Sequence, residues 1–337
     1  MNVTTNDTRK FLSFSFRLGG LLDILLVLGL AGTWVGCFRD WHWFLALFDH
    51  FRLQGAIACL FALIVLAWRR RWWLVGFAAL SLAVNVWPLW QTSFPLPGNT
   101  LADSHPGLRI VSFNVYTSNT RYPETLAYLQ QAEADVILLM EINDAWATAL
   151  QPLRRTHPYG TAEAQDDNFG IALYSRLPLS HYQVKPLVEE GMPVITAIVH
   201  SGDRAVRLIG THPLPPRSRD THRVLLEEMA RIATLVTAQP ELSAVVLGDF
   251  NATPWSPALN LLREQSTLNF RTPRPVWRPT WNLPTPLTLP LDQALCTPPL
   301  FFEQREIGPD LGSDHRAQVL LMKWAQSAGA ILPVGPG

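Results

Sequence analysis

The chain has 337 residues and carries 27 Lys/Arg and 27 Asp/Glu, so its formal net charge is zero. Its first 100 residues hold eight of the basic and four of the acidic side chains, and the mildly acidic remainder disfavours a strongly basic nucleic-acid-binding surface. The three cysteines, Cys37, Cys59 and Cys296, form no CxxC or zinc-type spacing, so we expect packing residues rather than a disulfide framework.

The first part of the chain contains three apolar stretches close to the roughly 20 residues that cross a bilayer. They run from Gly19 to Phe38, from Leu53 to Trp68 and from Trp72 to Trp90. A cleavable signal peptide is the alternative for the first stretch, but no small-residue cleavage site follows it and two further apolar stretches do. We predict a membrane anchor over residues 1–90 with three transmembrane helices.

The basic residues predict how this anchor is oriented. Arg9, Lys10 and Arg17 precede the first stretch, and residues 69–71 are three arginines that join the second stretch to the third. Short positively charged segments stay in the cytoplasm, so both clusters are expected on that side. We therefore predict a multi-pass protein of the inner or plasma membrane, with a cytoplasmic amino terminus and everything after Trp90 outside the cytoplasm.

A Pro-, Ser-, Asn- and Gly-rich segment at residues 91–107 has the composition of a linker. The next segment, residues 108–325, alternates β-rich apolar runs such as LRIVSFNV, DVILLME and SAVVLGDF with helical patterns, and residues 326–337 form a tail. A long helix from about Asp220 to Ala238 is expected to place its apolar side chains on one face: Leu225, Met229, Ile232 and Val236. These patterns predict a layered α/β domain with many strands.

Several polar residues stand where the predicted strands end or begin, and loops at such ends converge in layered domains. They are Asn114, Glu141, His212, Asp249, Asn251, Asp292, Asp314 and His315. Any one of them is most often a turn or cap residue, so the prediction of an active site depends on their conjunction.

Each group of these residues favours a particular chemistry. Glu141, Asp314 and the Asn114 carbonyl are hard oxygen donors that suit Mg²⁺ or Mn²⁺. Asp249 and Asn251 are two apart on an extended segment and point the same way, so one can orient water while the other donates to an oxyanion.

A histidine beside a carboxylate is held in one tautomer, and His315 with Asp292 forms such a predicted pair.

The stretches SFNV, LLMEI, FGIALYSR, GTH, GDFN, LD and GSDH run in order from about Leu108 to Lys323. In that order and spacing the chain resembles the endonuclease/exonuclease/phosphatase superfamily. It departs from the family in Gln293, where Tyr or His is frequent, and in the methionine of LLMEI, where Gln is frequent.

The resemblance implies a four-layer fold, a two-sheet β-sandwich flanked by helices, and a metal-dependent hydrolase. It also implies the roles of the site residues: Asn114 and Glu141 at the metal with Asp314 close to it, Asp249 and Asn251 at nucleophile and phosphate, Asp292 orienting His315, and His212 contacting the phosphate.

Three functions remain open from the sequence. The anchor and the acidic balance favour a phosphatase or phosphodiesterase acting on lipid-linked or headgroup phosphates, whereas a membrane-tethered nuclease would use the same residues. A binding module without catalysis is the third. Two arginine-containing loops either contact substrate or are solvated surface: one with Arg217, Arg219 and Arg223, and one with Arg271, Arg274, Trp277, Arg278 and Trp281. The sequence does not indicate an oligomeric state.

Overall fold

The computed structural model describes residues 18–39, 41–93, 101–272, 276–282 and 288–326. Several predictions fall outside these ranges. They concern the amino-terminal cluster of Arg9, Lys10 and Arg17, the Arg274 side chain, and nearly all of the tail.

Four helices form the amino-terminal part of the molecule: α1 (Leu18–Val35), α2 (Trp43–Ala46), α3 (Arg52–Trp68) and α4 (Trp72–Ser93). Three helical stretches are long and apolar enough to cross a membrane, over Gly20–Phe38, Trp43–Trp68 and Trp72–Thr92. The second begins before the predicted Leu53, because α2 and a short 3-10 helix, Leu47–Phe51, continue it. Buried residues such as Leu30, Cys59 and Leu66 pack the long helices together. The length and apolar composition of the three stretches suggest membrane association.

Charged residues join the helices at both ends of this bundle. Asp23, near the start of α1, accepts from the arginines between α3 and α4, with 3.0 Å to Arg69 Nε and 3.5 Å to Arg71 Nη2. A carboxylate in an apolar helix is costly unless it is paired, so these contacts stabilise it. At the other end, buried Asp49 pairs with Arg39 at 3.0 Å and with Arg52.

The rest of the chain contains two sheets and their covering helices. The strands are β1 (Leu108–Asn114), β2 (Val136–Met140), β3 (Tyr159–Glu163), β4 (Ile171–Ser175), β5 (Leu179–Pro186), β6 (Pro193–Ser201), β7 (Arg204–Thr211), β8 (Ala244–Asp249), β9 (Trp281–Asn282), β10 (Thr288–Leu289), β11 (Asp292–Cys296), β12 (Leu300–Ile307) and β13 (Gln318–Trp324). The helices are α5 (Tyr122–Gln131), α6 (Asp144–Ala149), α7 (Arg219–Thr237) and α8 (Pro257–Glu264).

The two sheets stack face to face between helices. One has the order β12-β13-β1-β2-β4-β3 and the other β11-β8-β7-β6-β5, while β9 and β10 form a separate hairpin. Residues such as Ile110, Leu138, Leu208 and Leu247 fill the space between the sheets. Helices α5 and α6 cover the outer face of the first sheet, and α7 and α8 cover the second. The predicted four-layer sandwich flanked by helices is confirmed.

The predicted apolar face of the long helix is also confirmed. In α7, Leu225, Met229, Ile232 and Val236 are buried against the second sheet, as a 3.6-residue period requires. The cysteines differ from expectation in one respect: Cys59 and Cys296 are buried, whereas Cys37 is exposed. All three are free thiols, in agreement with the absence of a disulfide framework.

The strand register explains why distant residues meet. Strand β1 runs parallel to β2, and β7 runs parallel to β8, so each pair ends at one edge of its sheet. Asn114 ends β1 and Asp249 ends β8, while Glu141 and His212 follow β2 and β7 directly. Antiparallel pairing of β11 with β8 puts Asp292 opposite Asp249. The carboxyl ends of four strands therefore converge from both sheets.

Candidate active site

Asn114 connects the two carboxylates nearest the centre of this edge. Its side-chain nitrogen donates to Glu141 Oε1 at 2.9 Å and to Asp249 Oδ2 at 3.1 Å. Its side-chain oxygen accepts from the backbone N–H of Tyr116 at 3.1 Å, which fixes the orientation of the amide. Asn114 thus holds two carboxylates in place, and its oxygen is already engaged.

Glu141 is held by the loop that follows β1. Thr117 donates its backbone N–H to Glu141 Oε2 at 3.1 Å, and the Thr117 hydroxyl lies 3.4 Å from the same oxygen. Glu141 has a φ of 62°, in the left-handed region that non-glycine residues rarely occupy. Such strain persists where surrounding contacts determine it, and here it turns a half-buried carboxylate toward the edge.

Asp249 lies between two imidazoles. Its Oδ2 is 3.5 Å from His212 Nε2 and 3.4 Å from His315 Nε2, while its Oδ1 accepts from the Asn251 backbone N–H at 2.9 Å. Burial by itself would raise the pKa of Asp249, but the His315 and His212 imidazoles and the donated hydrogen bonds outweigh it and lower that pKa. Asp249 is therefore ionised at neutral pH.

His315 and Asp292 form the predicted pair in space. His315 Nδ1 lies 2.8 Å from Asp292 Oδ2, which leaves Nε2 facing Asp249. Burial opposes the charged imidazole, but the Asp292 and Asp249 carboxylates outweigh it and raise the pKa of His315 to about 10. The pair thus presents an imidazolium N–H to the site.

Asp292 is itself fixed by residues that the sequence did not indicate. Its backbone N–H donates to Thr280 Oγ1 at 3.0 Å, and its carbonyl accepts from Arg305 Nη2 at 3.0 Å and from Gln318 Nε2. Gln293, the departure from the family pattern, accepts from the same Arg305 at 3.3 Å. Gln293 therefore helps to hold Arg305 against the backbone of Asp292, beside the His315–Asp292 pair.

The loop after β7 is attached to the loop after β8. Asn251, with a φ of 50°, donates its side-chain N–H to the Pro213 carbonyl at 2.9 Å. His212 is 4% exposed, its ring centroid lies 5.2 Å from that of Phe169, and its Nδ1 has no hydrogen-bond partner within the described ranges. The other ring nitrogen, Nε2, is the one that faces the Asp249 carboxylate.

Asp314 stands on the remaining side, under Trp281. Trp281 Nε1 donates to Asp314 Oδ2 at 3.0 Å, and the adjacent Ser313 hydroxyl donates to the Asn114 carbonyl at 2.8 Å. Asp314 Oδ1 is buried and has no hydrogen-bond partner in the part of the chain that the structure describes. One half of this carboxylate is therefore available for a ligand.

The edge carries oxygen donors of the type that a divalent cation prefers. Half-buried Glu141 and the unpartnered oxygen of Asp314 are hard ligands of the kind that Mg²⁺ and Mn²⁺ prefer. A second set, Asp249, Asp292 and His315, offers ligand atoms within 4.8 Å of one another, but the 2.8 Å contact of His315 with Asp292 already engages its members. The predicted metal group of Asn114, Glu141 and Asp314 stays a prediction, with the Asn114 oxygen engaged elsewhere.

The residues of the second arginine-containing loop, which includes Trp277 and Trp281, differ in what they contact. Trp281 reaches the site through Asp314, whereas Trp277 is 37% exposed. Arg271 Nε donates to the Leu300 carbonyl at 2.6 Å and so supports the fold. Arg278 is exposed. The β9–β10 hairpin thus reaches the candidate site through Trp281, and the role of this loop toward a substrate stays a prediction.

The amino-terminal helical part contacts the loops on both sides of the site. Trp255 Nε1 donates to the Asp49 carbonyl at 2.5 Å, and the Thr253 hydroxyl lies 3.3 Å from His50 Nδ1. On the other side, Gln54 Nε2, in the first turn of α3, donates to the Thr288 carbonyl of β10 at 2.8 Å. The edge that carries the candidate site therefore faces the amino-terminal helices.

A family model matches residues 111–315, and it describes the Endonuclease/Exonuclease/phosphatase family. Solved structures share the fold. TDP2 from D. rerio, in complex with a single-strand DNA product, is 16% identical with a TM-score of 0.55, and the alignment covers 66% of this chain and 100% of TDP2. A family protein from Bacteroides thetaiotaomicron is 12% identical with a TM-score of 0.52, and the alignment covers 65% of this chain and 98% of that one. A family protein from Bacteroides vulgatus is 16% identical with a TM-score of 0.51, and the alignment covers 64% of this chain and 98% of that one. No curated protein matches the chain.

Proposed function

Because the chain belongs to the Endonuclease/Exonuclease/phosphatase family, whose members hydrolyse phosphoester bonds, we propose that it is a Mg²⁺-dependent phosphatase or phosphodiesterase acting on lipid-linked or headgroup phosphates. The enzyme would be held by its three amino-terminal helices in the inner or plasma membrane, with the catalytic domain outside the cytoplasm.

The contact between anchor and catalytic loops is the observation that carries the choice of substrate. His50 touches the loop that follows Asn251, and Gln54 touches the hairpin whose other strand holds Trp281 against Asp314. A site bounded by the membrane anchor on two sides is close to bilayer phosphates. A substrate in the aqueous phase would gain nothing from this arrangement.

In the proposed reaction, a water molecule attacks phosphorus as the ester P–O bond breaks, and the leaving oxygen departs with the bond's electron pair and takes a proton from bulk water. Ionised Asp249 orients this water and accepts its proton. Asp292 holds His315 so that its Nε2–H donates to a phosphoryl oxygen, and His212 and Asn251 complete the donors around the developing negative charge. A divalent ion held by Glu141 and Asp314 would supply Lewis-acid stabilisation of that charge. Asn114 keeps the two carboxylates in register.

A membrane-tethered nuclease is the alternative, because D. rerio TDP2 was solved with a DNA product and its fold is similar. A nuclease must neutralise many phosphates with Lys and Arg, so its rate falls steeply as salt increases. The described residues closest to the site are mainly carboxylates, amides and histidines. This composition favours a single phosphate group over a polyanionic strand.

The test compares substrates on the full chain in proteoliposomes. Phospholipids, polyprenyl phosphates, inositol phosphates and DNA are offered side by side with Mg²⁺, with EDTA and after Mg²⁺ is restored. We expect Mg²⁺-dependent hydrolysis of a lipid phosphate, and Asp249→Asn should lower the rate about 10³-fold. Asp203→Asn, on the exposed turn at the opposite end of β7, is the matched control and should keep the rate.

Two results would contradict the proposal. Cleavage of DNA with a steep salt dependence and without release of phosphate from any lipid would establish the nuclease. An Asp249→Asn chain as active as wild type would place the chemistry elsewhere. The orientation has its own test: a reporter that works only outside the cytoplasm should be active when fused after Trp90.

A further inference from the structure

A cavity lies between the amino-terminal helical part and the start of α7. It has a volume of about 670 Å³, within the range of small-molecule sites. Residues from the connection between α1 and α3 line one side, among them Arg39, Trp41 and Trp43, and residues of α7 line the other, among them Arg219, His222 and Arg223 together with the acidic Asp220 and Glu227. None of them belongs to the catalytic group.

The side chains in this cavity differ in how far they are already engaged. Arg223 is paired with Glu190 at 2.8 Å and with Glu227 at 2.9 Å, and Arg39 is paired with Asp49. Within the described ranges, exposed Arg219 has no ion pair, and buried His222 Nδ1 has no hydrogen-bond partner. A guanidinium and an imidazole nitrogen on the same turn of helix are thus left for an outside ligand. Such a combination suits a phosphate group.

The anchor side of the cavity has the composition of a bilayer interface. Trp41 is 79% exposed and Trp43 is half-buried. Both stand at the end of a candidate span, where tryptophan concentrates because its ring is apolar and its N–H is polar. Arginines line the same cavity as these rings, so the proposed placement in the membrane puts cationic groups near the depth of lipid headgroups.

We propose that this cavity binds the phosphate of an anionic glycerophospholipid, at a site separate from the catalytic one. The inference rests on the proposed placement in the membrane. Arg219 and His222 hold the phosphate, while Trp41 contacts the glycerol backbone. A bound headgroup would join the anchor connection, which carries His50, to α7, which follows the His212 loop. Anionic lipid would thereby hold the anchor against the catalytic domain.

The test measures binding without turnover. The full chain carrying Asp249→Asn is purified in nonionic detergent, and its affinity is measured by thermophoresis for three probes: phosphatidylglycerol in mixed micelles, phosphatidylcholine in mixed micelles, and soluble glycerol phosphate. We expect phosphatidylglycerol to bind most tightly. Adding Arg219→Gln should weaken it about tenfold or more, because a hydrogen bond to a charged group is lost.

Two further variants control for folding. Arg231→Gln removes the same charge from an exposed position on the same helix, outside the cavity, and should bind like the parent. Arg219→Lys keeps the charge and should recover most of the affinity. Equal loss in both glutamine variants, or none in Arg219→Gln, would overturn the site. Glycerol phosphate binding as tightly as the lipid would overturn the lipid assignment. Every measured quantity is a binding affinity and does not depend on hydrolysis. The test of this site therefore stays valid even where the proposed enzymatic activity is absent.

Discussion

Glu228 is a buried carboxyl group beneath the catalytic edge, and its ionisation should limit stability. The side chain lies on α7 with no exposed surface, and its Oε1 accepts from the Thr211 hydroxyl, next to His212. Its Oε2 has no hydrogen-bond partner among the residues described. Burial raises the pKa of Glu228 from 4.5 to about 7, and the Thr211 hydrogen bond only partly opposes this.

A raised carboxyl pKa makes stability fall as pH rises. Between pH 4.5 and about 7 the unfolded chain has lost this proton while the folded chain retains it, so the free energy of unfolding decreases across that window. Below 4.5 both states are protonated, and above 7 the penalty is constant. At about 1.4 kcal/mol for each pKa unit, the full penalty is about 3 kcal/mol.

Glu228→Gln removes this pH dependence, since an amide does not ionise. Its unpartnered NH₂ costs about 1–3 kcal/mol at every pH, so the informative quantity is the difference in Tm between variant and wild type at pH 5 and at pH 8.5. That difference should move in favour of the variant by about 5 °C or more on going to pH 8.5.

The measurement is thermal unfolding of the full chain in detergent. Glu241→Gln, on an exposed position before β8, is the matched control and should show no such change. If the Tm difference between Glu228→Gln and wild type were the same at both pH values, the group would not titrate in this window and the reasoning would be refuted.

Three further predictions follow from single contacts. Asp292→Asn removes the carboxylate that holds the catalytic imidazole, so kcat on a saturating lipid substrate should fall about 10²-fold or more with little change in KM; an unchanged kcat would deny the pair its role. Gly248→Ala would place a Cβ 2.0 Å from a carbonyl oxygen of β7 at a φ of 142°, so we expect a collapse of Tm, whereas Gly76→Ala meets no atom within 4 Å and should unfold like wild type. Trp255→Phe replaces the indole with a smaller aromatic ring that lacks the N–H donated to the Asp49 carbonyl, so hydrolysis of a bilayer substrate should fall several-fold while a soluble phosphodiester is cleaved as before. Equal losses on both substrates would indicate simple destabilisation.

The central strands of the fold could be predicted because they are buried on both faces. Strands β1, β2 and β8 read as continuous apolar runs, and each is buried along nearly its whole length. The sequence did not indicate β3 and β5, which stand at sheet edges and contain no buried residue. An edge strand owes its conformation to its neighbour, and a single sequence does not show that neighbour.

The same distinction applies to the site. The sequence shows the residues at strand ends as polar residues that follow apolar runs. The structure brings Asn114, Glu141, Asp249 and the His315–Asp292 pair together. Their supports were not visible, because Thr117, Arg305 and Gln318 lie in segments without a motif and act through backbone or long-range contacts. Only Ser313 stood inside a recognisable stretch, GSDH, and its hydroxyl holds the Asn114 carbonyl.

The contacts of His50, Gln54 and Asp49 with the catalytic loops also bear on how far the domain can search. A domain held by its linker alone would rotate freely above the bilayer, and its candidate site would face in any direction. In the proposed membrane setting, contact at two separate places would restrict both tilting and translation of the domain, so the enzyme would meet its lipid substrate by lateral diffusion of the whole protein. Turnover should then depend on surface density and bilayer fluidity rather than on bulk concentration.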